Sequence, residues 1–334
     1  MATEDRGAAL RATVRQPGLV WCYSRTADAA AVLGAEEPPA EHPFRWLHLN
    51  LSDQRSLRWL EGCTDLPPTL HALMLARDGQ QHVAIEAGGV GLVLHDFERG
   101  LDPAAIGRIG TFHVALMPGL LVTGRYRPLH VGDLLRERLE QGADVRDMAS
   151  AFAFLLGALV DGLGLLALDL TTLLLEAEAD LMADDIAPDT RALVSMRRRS
   201  AQLHRLVGGM RATLVRLERE PGLSPPLTAI AGEIQPRLAM LDSDIVSAQQ
   251  QLRLLRDELD LQAAQRTNQN VYLLSILTAL MMPATLVTGF FGMNTGGLPF
   301  AEGKHGTLLA TTVALLSAGG SWWLLRMMGL LRRQ

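Results

Sequence analysis

The chain has 334 residues, with 36 acidic against 31 basic side chains and a net charge of −5, which leaves no basic surplus to neutralise phosphates and argues against a nucleic-acid partner. Cys22 and Cys63 lie far apart and outside any C-x-x-C arrangement, so neither a disulfide framework nor a cysteine zinc site is expected, as suits a reducing cytoplasm. A mean hydropathy of +0.14 is high for a soluble enzyme and fits two membrane spans averaged with a soluble majority.

The opening residues, Met1 to Gly7, have no apolar core after a basic start, so no cleavable secretory signal is expected. Residues 1–18 are polar and small. Short β-like runs follow at Leu19–Tyr23, Arg45–Leu51, His82–Glu86, Gly91–His95, Thr111–Leu116 and Leu120–Thr123, separated by Gly, Pro and Asp. Between the second and third lie two predicted helices, Ser52–Gly62 with Ser52 as its cap and Pro67–Ala76 with prolines in its first turn. Strands and helices mixed in this way describe an α/β or α+β domain.

From Pro128 the pattern predicts helices over Leu129–Gln141, Val145–Met182 and Pro188–Glu220. The centre of the second, Ala151–Leu175, is apolar enough to imitate a membrane span. Asp161 and Asp169 inside it are costly at bilayer depth, and Gly157, Gly162 and Gly164 suit close packing, so it reads as a buried helix of the cytoplasmic domain. The acidic stretch Glu176–Asp185 reads as a solvated helix end or as a place where cations collect, with Asp184 and Asp185 as candidate ligands. Glu218–Pro226 turns the chain.

Pro236 is expected to open a stalk helix. Leu238, Leu241, Ile245, Ala248, Leu252, Leu255, Leu259, Gln262 and Arg266 follow alternating three- and four-residue steps, the pattern of a helix packed on like helices. With no Gly or Pro between residues 237 and 282, the stalk runs on as one helix, and Leu238 to Phe291 would extend roughly 80 Å. Val271–Phe291 and Thr307–Leu325 are uncharged runs of about the ~20 residues that cross a bilayer, separated by the break at Gly292–Gly297. Arg253, Arg256 and Arg266 precede the first run and Arg326, Arg332 and Arg333 follow the second, while the loop holds only Lys304. That distribution puts both termini in the cytoplasm.

The same 3/4 spacing picks out Asn268, Val271, Ser275, Thr278, Met282, Thr285 and Gly289, which fall within an arc of roughly 100° on the first span. Small and hydroxyl residues are ordinary at helix interfaces. The functional reading is a pore wall: Ser275, Thr278 and Thr285 offer hydroxyls to water or a hydrated ion, and Val271, Leu274 and Met282 form apolar constrictions. Pro283 removes one backbone donor within the span. Two spans per chain cannot enclose a pore, so this reading requires a homo-oligomeric ring. The expected division is 1–235 cytoplasmic domain, 236–270 stalk, 271–291 first span, 292–306 loop, 307–325 second span and 326–334 basic tail.

Gly292-Met293-Asn294 directly after a span, a second span a dozen residues on and a basic tail resemble the CorA family of divalent-cation transporters over the whole chain. The continuation Thr295-Gly-Gly-Leu-Pro-Phe looks like its ZntB zinc-transporter branch. The resemblance implies a homopentameric funnel in a bacterial inner membrane, with Asn294 as a ring of amides at the outer mouth and Met293 as a packing anchor. It also implies a basic collar of Arg326, Arg332 and Arg333 at the inner end, and proton-coupled uptake in the zinc branch. The alternative within the family is a magnesium/cobalt channel gated by cytoplasmic metal. The pore face carries no His, Cys or carboxylate, although zinc favours imidazole and thiolate. Zinc therefore rests on the resemblance, and His305 and Glu302 of the loop are the metal candidates outside the membrane. No cofactor is expected, the divalent ion being substrate, and the absence of G-x-S-x-G, P-loop and G-x-G-x-x-G patterns argues against an enzyme.

Overall fold

The computed structural model describes residues 18–26, 31–39, 42–77, 80–99, 108–182, 190–293 and 306–327. Seven strands, β1 (Leu19–Arg25), β2 (Ala31–Gly34), β3 (Phe44–Asn50), β4 (His82–Glu86), β5 (Gly89–Phe97), β6 (Ile109–Met117) and β7 (Leu120–Arg125), form one sheet in the order β2-β1-β3-β7-β6-β5-β4. All neighbours are antiparallel except β3 and β7, whose register runs Arg45–Leu120 to Asn50–Arg125. Side chains alternate between two buried faces. Trp21, Tyr23, Trp46, Leu92, Leu94, Val114 and Leu121 point to one core, and Cys22, Leu47, Val93, Ala115 and Val122 to the other. Burial on both faces is why these strands read as nearly continuous apolar runs. Pro118-Gly119 turns β6 into β7, with Gly119 at φ +78, a value an L side chain rarely adopts.

The second face is covered by α1 (Gln54–Gly62) and α2 (Pro68–Leu75) through Leu60, Leu70, Leu73 and Met74. Ser52 is not the cap. Asp53 caps α1 by accepting from the Arg55 N–H at 2.9 Å, while the Ser52 hydroxyl donates to the Tyr126 carbonyl. The first face is covered by α3 (His130–Glu140), α4 (Met148–Met182), α5 (Thr190–Arg219) and the lower part of α6 (Pro225–Phe291). The four-residue β2 escaped the sequence reading because Ala-Val-Leu-Gly is short, half small residues and pairs on one side only.

Half of the most apolar stretch of α4 is buried within the domain. Asp161 and Asp169, which argued against a span, are ion-paired there. Asp161 holds Arg138 of α3 at 2.8 Å and also Arg237 of α6, and Asp169 holds Arg199 of α5 at 3.0 Å.

The helix expected to open at Pro236 begins eleven residues earlier, at Pro225. Its buried row is Leu227, Ala231, Ile234, Leu238, Leu241, Ile245, Ala248, Leu252 and Leu255, so the same face is packed on both sides of Pro236. Each large apolar side chain buried there contributes about 2 kcal/mol, against about 3 kcal/mol for an interior proline. Packing therefore carries the helix through. The row is covered only as far as Leu255; Leu259 and Gln262 are half-covered and Arg266 is exposed. Leu255 is also where the chain divides into two compact units, Met1–Leu255 and Arg256–Gln334.

Two buried ionisable groups lie on the sheet, and the second ties it to α3. His48 lies beneath Trp21, accepts at Nε2 from Arg125 Nε at 3.2 Å and therefore donates from Nδ1 to Thr123 Oγ1 at 2.9 Å. Burial, with the Arg125 charge beside it, pushes His48 down to about 3 and keeps it neutral. Asp96 accepts from the Val131 N–H at 2.7 Å at the start of α3, and burial pushes its carboxyl up to about 6 despite hydrogen bonds from Val131, Phe97 and His130.

Because folded Asp96 holds its proton more tightly than the unfolded chain does, its contribution to stability is fullest below 3.8 and falls as pH rises from there to about 6. Asp96→Asn keeps an acceptor for Val131 and should remove that loss, so that the difference in stability between variant and wild type changes by on the order of 3 kcal/mol across the window. His48, held at about 3, adds an opposite slope to both proteins and cancels in that difference. Denaturant unfolding of both proteins at either end of the window measures it. Asp147, held below its ordinary value by Ser150, loses its contribution only at lower pH and does not interfere.

Candidate functional site

Above Leu255, α6 carries the candidate face, and Val271–Phe291 at its upper end holds no charged residue. This stretch of α6 and α7 (Gly306–Met327) are both long and apolar enough to cross a membrane, and neither has its apolar window buried in the chain. Their partial cover is patterned. On α6 the half-covered residues are Tyr272, Ile276, Ala279, Leu280, Pro283, Ala284, Val287 and Phe291; on α7 they are Gly306, Ala310, Ala314, Ser317, Ala318, Ser321 and Leu325. Both sets recur at three- and four-residue steps, the trace left by two helices lying side by side, and the small residues of α7 suit close approach.

Asn268, Val271, Ser275, Thr278, Met282, Thr285 and Gly289 all fall on exposed positions of α6, and so does Leu274. At ~100° per residue the centre of this seam lies roughly 150° from the centre of the half-covered stripe. The seam is thus the side of the helix that α7 leaves open.

The seam hydroxyls are not free donors. Ser275 donates to the Val271 carbonyl at 2.7 Å, Thr278 to Leu274 at 2.8 Å and Thr285 to Met281 at 2.9 Å; just off the seam, Thr288 donates to the Thr285 carbonyl at 3.1 Å. Each proton is spent on the helix itself, which satisfies the group in an apolar solvent and leaves the oxygen lone pairs outward as acceptors. A column of acceptors suits water or the waters of a hydrated cation. It lacks the charge and softness to strip a shell and bind a bare metal.

At the top of α6, the Gly292 N–H donates to Thr288 at 2.9 Å, and a Cβ at Gly292 would stand 2.9 Å from that same carbonyl oxygen, so the helix end is closed by a residue without a side chain. Gly289 has open space around it, and Met293 is exposed rather than packed within this chain, where an anchor was expected. On α7, the Arg326 guanidinium lies over the Trp322 ring at 5.3 Å. Asn294, Glu302, His305, Asp184, Asp185, Arg332 and Arg333 lie outside the described residues.

Among the described residues no three His, Cys, Asp or Glu side chains come together to hold a metal ion. Both ring nitrogens of His48 are engaged, by Thr123 and Arg125, which leaves neither for a metal. What sequence reasoning missed are the polar ties of lower α6. Arg237 reaches Asp161, Gln249 donates to the Ser200 carbonyl at 3.2 Å, and His204 Nδ1 of α5 sits 2.8 Å from Asp242 Oδ1. The two aspartates inside apolar α4 signalled that partners were needed, but not which arginines supply them.

A family model described as CorA-like Mg2+ transporter protein matches residues 41–327. The chain is 26% identical over 288 residues to the zinc transport protein ZntB of Yersinia enterocolitica, covering 85% of this chain and 87% of that one. It is 28% identical over 290 residues to the divalent cation transporter CmaX of Pseudomonas aeruginosa, covering 84% and 86%. Among solved structures, the CorA magnesium transporter of Methanocaldococcus jannaschii shares the fold with a TM-score of 0.75 at 15% identity, over 91% of this chain and 97% of that one.

The exposed seam makes a direct prediction. In the membrane-embedded protein on a Cys63→Ser background, whose remaining native thiol Cys22 is buried, cysteines introduced one at a time at Ser275, Thr278 and Thr285 should react with an impermeant thiol reagent, and cysteines at Ile276 and Val287 should not. Equal labelling of the two sets would mean the seam does not face water.

Proposed function

We propose, on the premise that the chain belongs to the CorA-like Mg2+ transporter family, that it carries divalent cations across the bacterial inner membrane through a pore walled by copies of upper α6. The observation that carries this reading is the column of back-bonded hydroxyls at Ser275, Thr278 and Thr285 on the side of α6 away from the stripe that α7 covers. An anchor helix has no use for such a column. A pore wall does, because acceptor oxygens replace bulk water around a hydrated ion without binding it so tightly that release slows.

One chain brings two spans, α6 and α7, with α4 retained in the cytoplasmic domain by its buried half and its Asp161 and Asp169 ion pairs. Closing a water-filled pore then takes a ring of copies, and a homopentamer with both termini in the cytoplasm is the assembly we propose. Gly292, Met293 and Asn294 form its outer mouth, with Asn294 supplying amide oxygens. Val271, Leu274 and Met282 are its apolar constrictions, and Arg326, Arg332 and Arg333 collar the inner end.

Zinc is the proposed cargo. The support is the ZntB relative, together with a mouth sequence, Thr295-Gly-Gly-Leu-Pro-Phe, that resembles the ZntB branch. Zinc coordination chemistry does not supply it, since the seam holds no imidazole, thiolate or carboxylate. Zinc therefore crosses with its water shell, and any coupled proton moves with water or through groups at the pore's ends, because neither span holds an Asp, Glu or His.

Proteoliposome flux tests these points separately. Zinc flux should exceed magnesium flux and rise with an inward pH gradient; magnesium flux above zinc would shift the assignment to the magnesium/cobalt channel. Thr278→Leu, which puts an apolar side chain into the seam, should cut flux at least about tenfold, equivalent to roughly 1.4 kcal/mol, while Ala279→Leu beside it should do much less. Asn294→Ala should also reduce flux, whereas full activity in that variant would remove Asn294 from the mouth.

A further inference from the structure

Far along the chain from the seam, α1 roofs a cavity of about 200 Å³ on the second face of the sheet. Its floor is Leu19 of β1 with Leu47 and Leu49 of β3, and its roof is Trp59 of α1, whose indole N–H donates to the Glu37 carboxylate at 3.0 Å. A cavity of roughly 150 Å³ takes a benzene ring, so this one holds a single ring with one substituent.

Two features make it more than a packing defect. Ser56 is 2% exposed, lines the cavity, and its hydroxyl oxygen has no hydrogen-bond partner among the described residues. A buried hydroxyl left unpaired costs free energy. The Gly18 backbone presses on that oxygen from one side, where a Cβ would stand 2.3 Å away, so any partner reaches it from the cavity. The second feature is charge. Arg55 lines the cavity and also the polar cleft beside it, which contains Arg58, Asn50, Ser52, Asp53 and Gln54. The acids nearby are engaged: Asp53 caps α1, and Glu37 accepts from Trp59. Neither Arg55 nor Arg58 has an ion-pair partner among the described residues.

We propose that this cavity is a binding site for a small apolar carboxylate. The apolar body lies on Leu19, Leu47, Leu49 and Trp59, the buried Ser56 hydroxyl donates to one carboxylate oxygen, and the Arg55 guanidinium at the mouth pairs with the other. An arginine fork matches a carboxylate in both geometry and charge, and the leucine floor rejects strongly hydrated inorganic anions. The assignment stands independently of the transport reading, since it uses no residue of the seam.

Benzoate is the probe, with benzyl alcohol as its neutral counterpart. Titrated into the full-length protein in lipid nanodiscs, benzoate should change tryptophan fluorescence saturably, and Trp59→Phe should abolish the change. Arg55→Gln should weaken benzoate at least about tenfold, the scale of a lost hydrogen bond to a charged group, and leave benzyl alcohol unaffected. Ser56→Ala, which preserves the helix and enlarges nothing but the cavity, should weaken both. No saturable response in the wild type, a response that survives Trp59→Phe, or equal benzoate affinity in wild type, Arg55→Gln and Ser56→Ala would each overturn the proposal. Zinc flux is not read in any arm, so failure here leaves the pore assignment untouched.

Discussion

The apolar row along lower α6, from Leu227 to Leu255, is the constraint on which the remainder of the molecule depends. A 67-residue helix has no stability of its own in proportion to its length, because helical segments in water are held by packing rather than by propensity. Nine buried positions at alternating four- and three-residue steps lock its lower part into the domain core, strongly enough to carry an interior proline. Arg237, Gln249 and Asp242 add polar contacts to α4 and α5 along the same length. Upper α6 has none of this cover. Its stabilisation must come from a different solvent and from other helices.

That change of solvent explains the chemistry of the seam. In hydrocarbon an unpaired hydroxyl is costly, so Ser275, Thr278 and Thr285 spend their protons on the carbonyls one turn below. The same bond that makes them tolerable in a span turns their lone pairs outward. One local interaction thus serves insertion and, in the proposed pore, a water-lined wall. Selectivity on such a wall comes from the size and hydration of the ion rather than from ligand exchange, which makes the proposed zinc cargo compatible with a face that offers zinc none of its preferred ligands.

The cytoplasmic domain uses charge differently. Asp161 sits between arginines of α3 and α6, and Asp96 is buried under the first turn of α3. These carboxylates hold elements together, and among the described residues neither belongs to a cluster of three or more His, Cys, Asp or Glu side chains. His48 is likewise committed, its tautomer dictated by Arg125 on one side and Thr123 on the other.

Much of this architecture was legible in the amino-acid order because it depends on local periodicity. Short apolar runs bounded by Gly, Pro and Asp marked six of the seven strands, the 3/4 steps marked the stalk from Leu238 to Leu255, and two uncharged runs marked the helices fit to cross a bilayer. The failures share a physical cause. Pro236 looked like a helix start because proline is judged by its neighbours, whereas the packing of Leu227, Ala231 and Ile234 that overrides it involves other helices. Ser52 looked like a cap, but its hydroxyl is drawn off by Tyr126, 74 residues on. The sequence by itself determined which face of α6 is polar, since side-chain direction on a helix follows from spacing alone. Only the tertiary structure decided that this face is the uncovered one, that Asp161 answers to Arg138 and Arg237, and that Ser56 opens on a cavity, because each depends on what a distant segment places alongside.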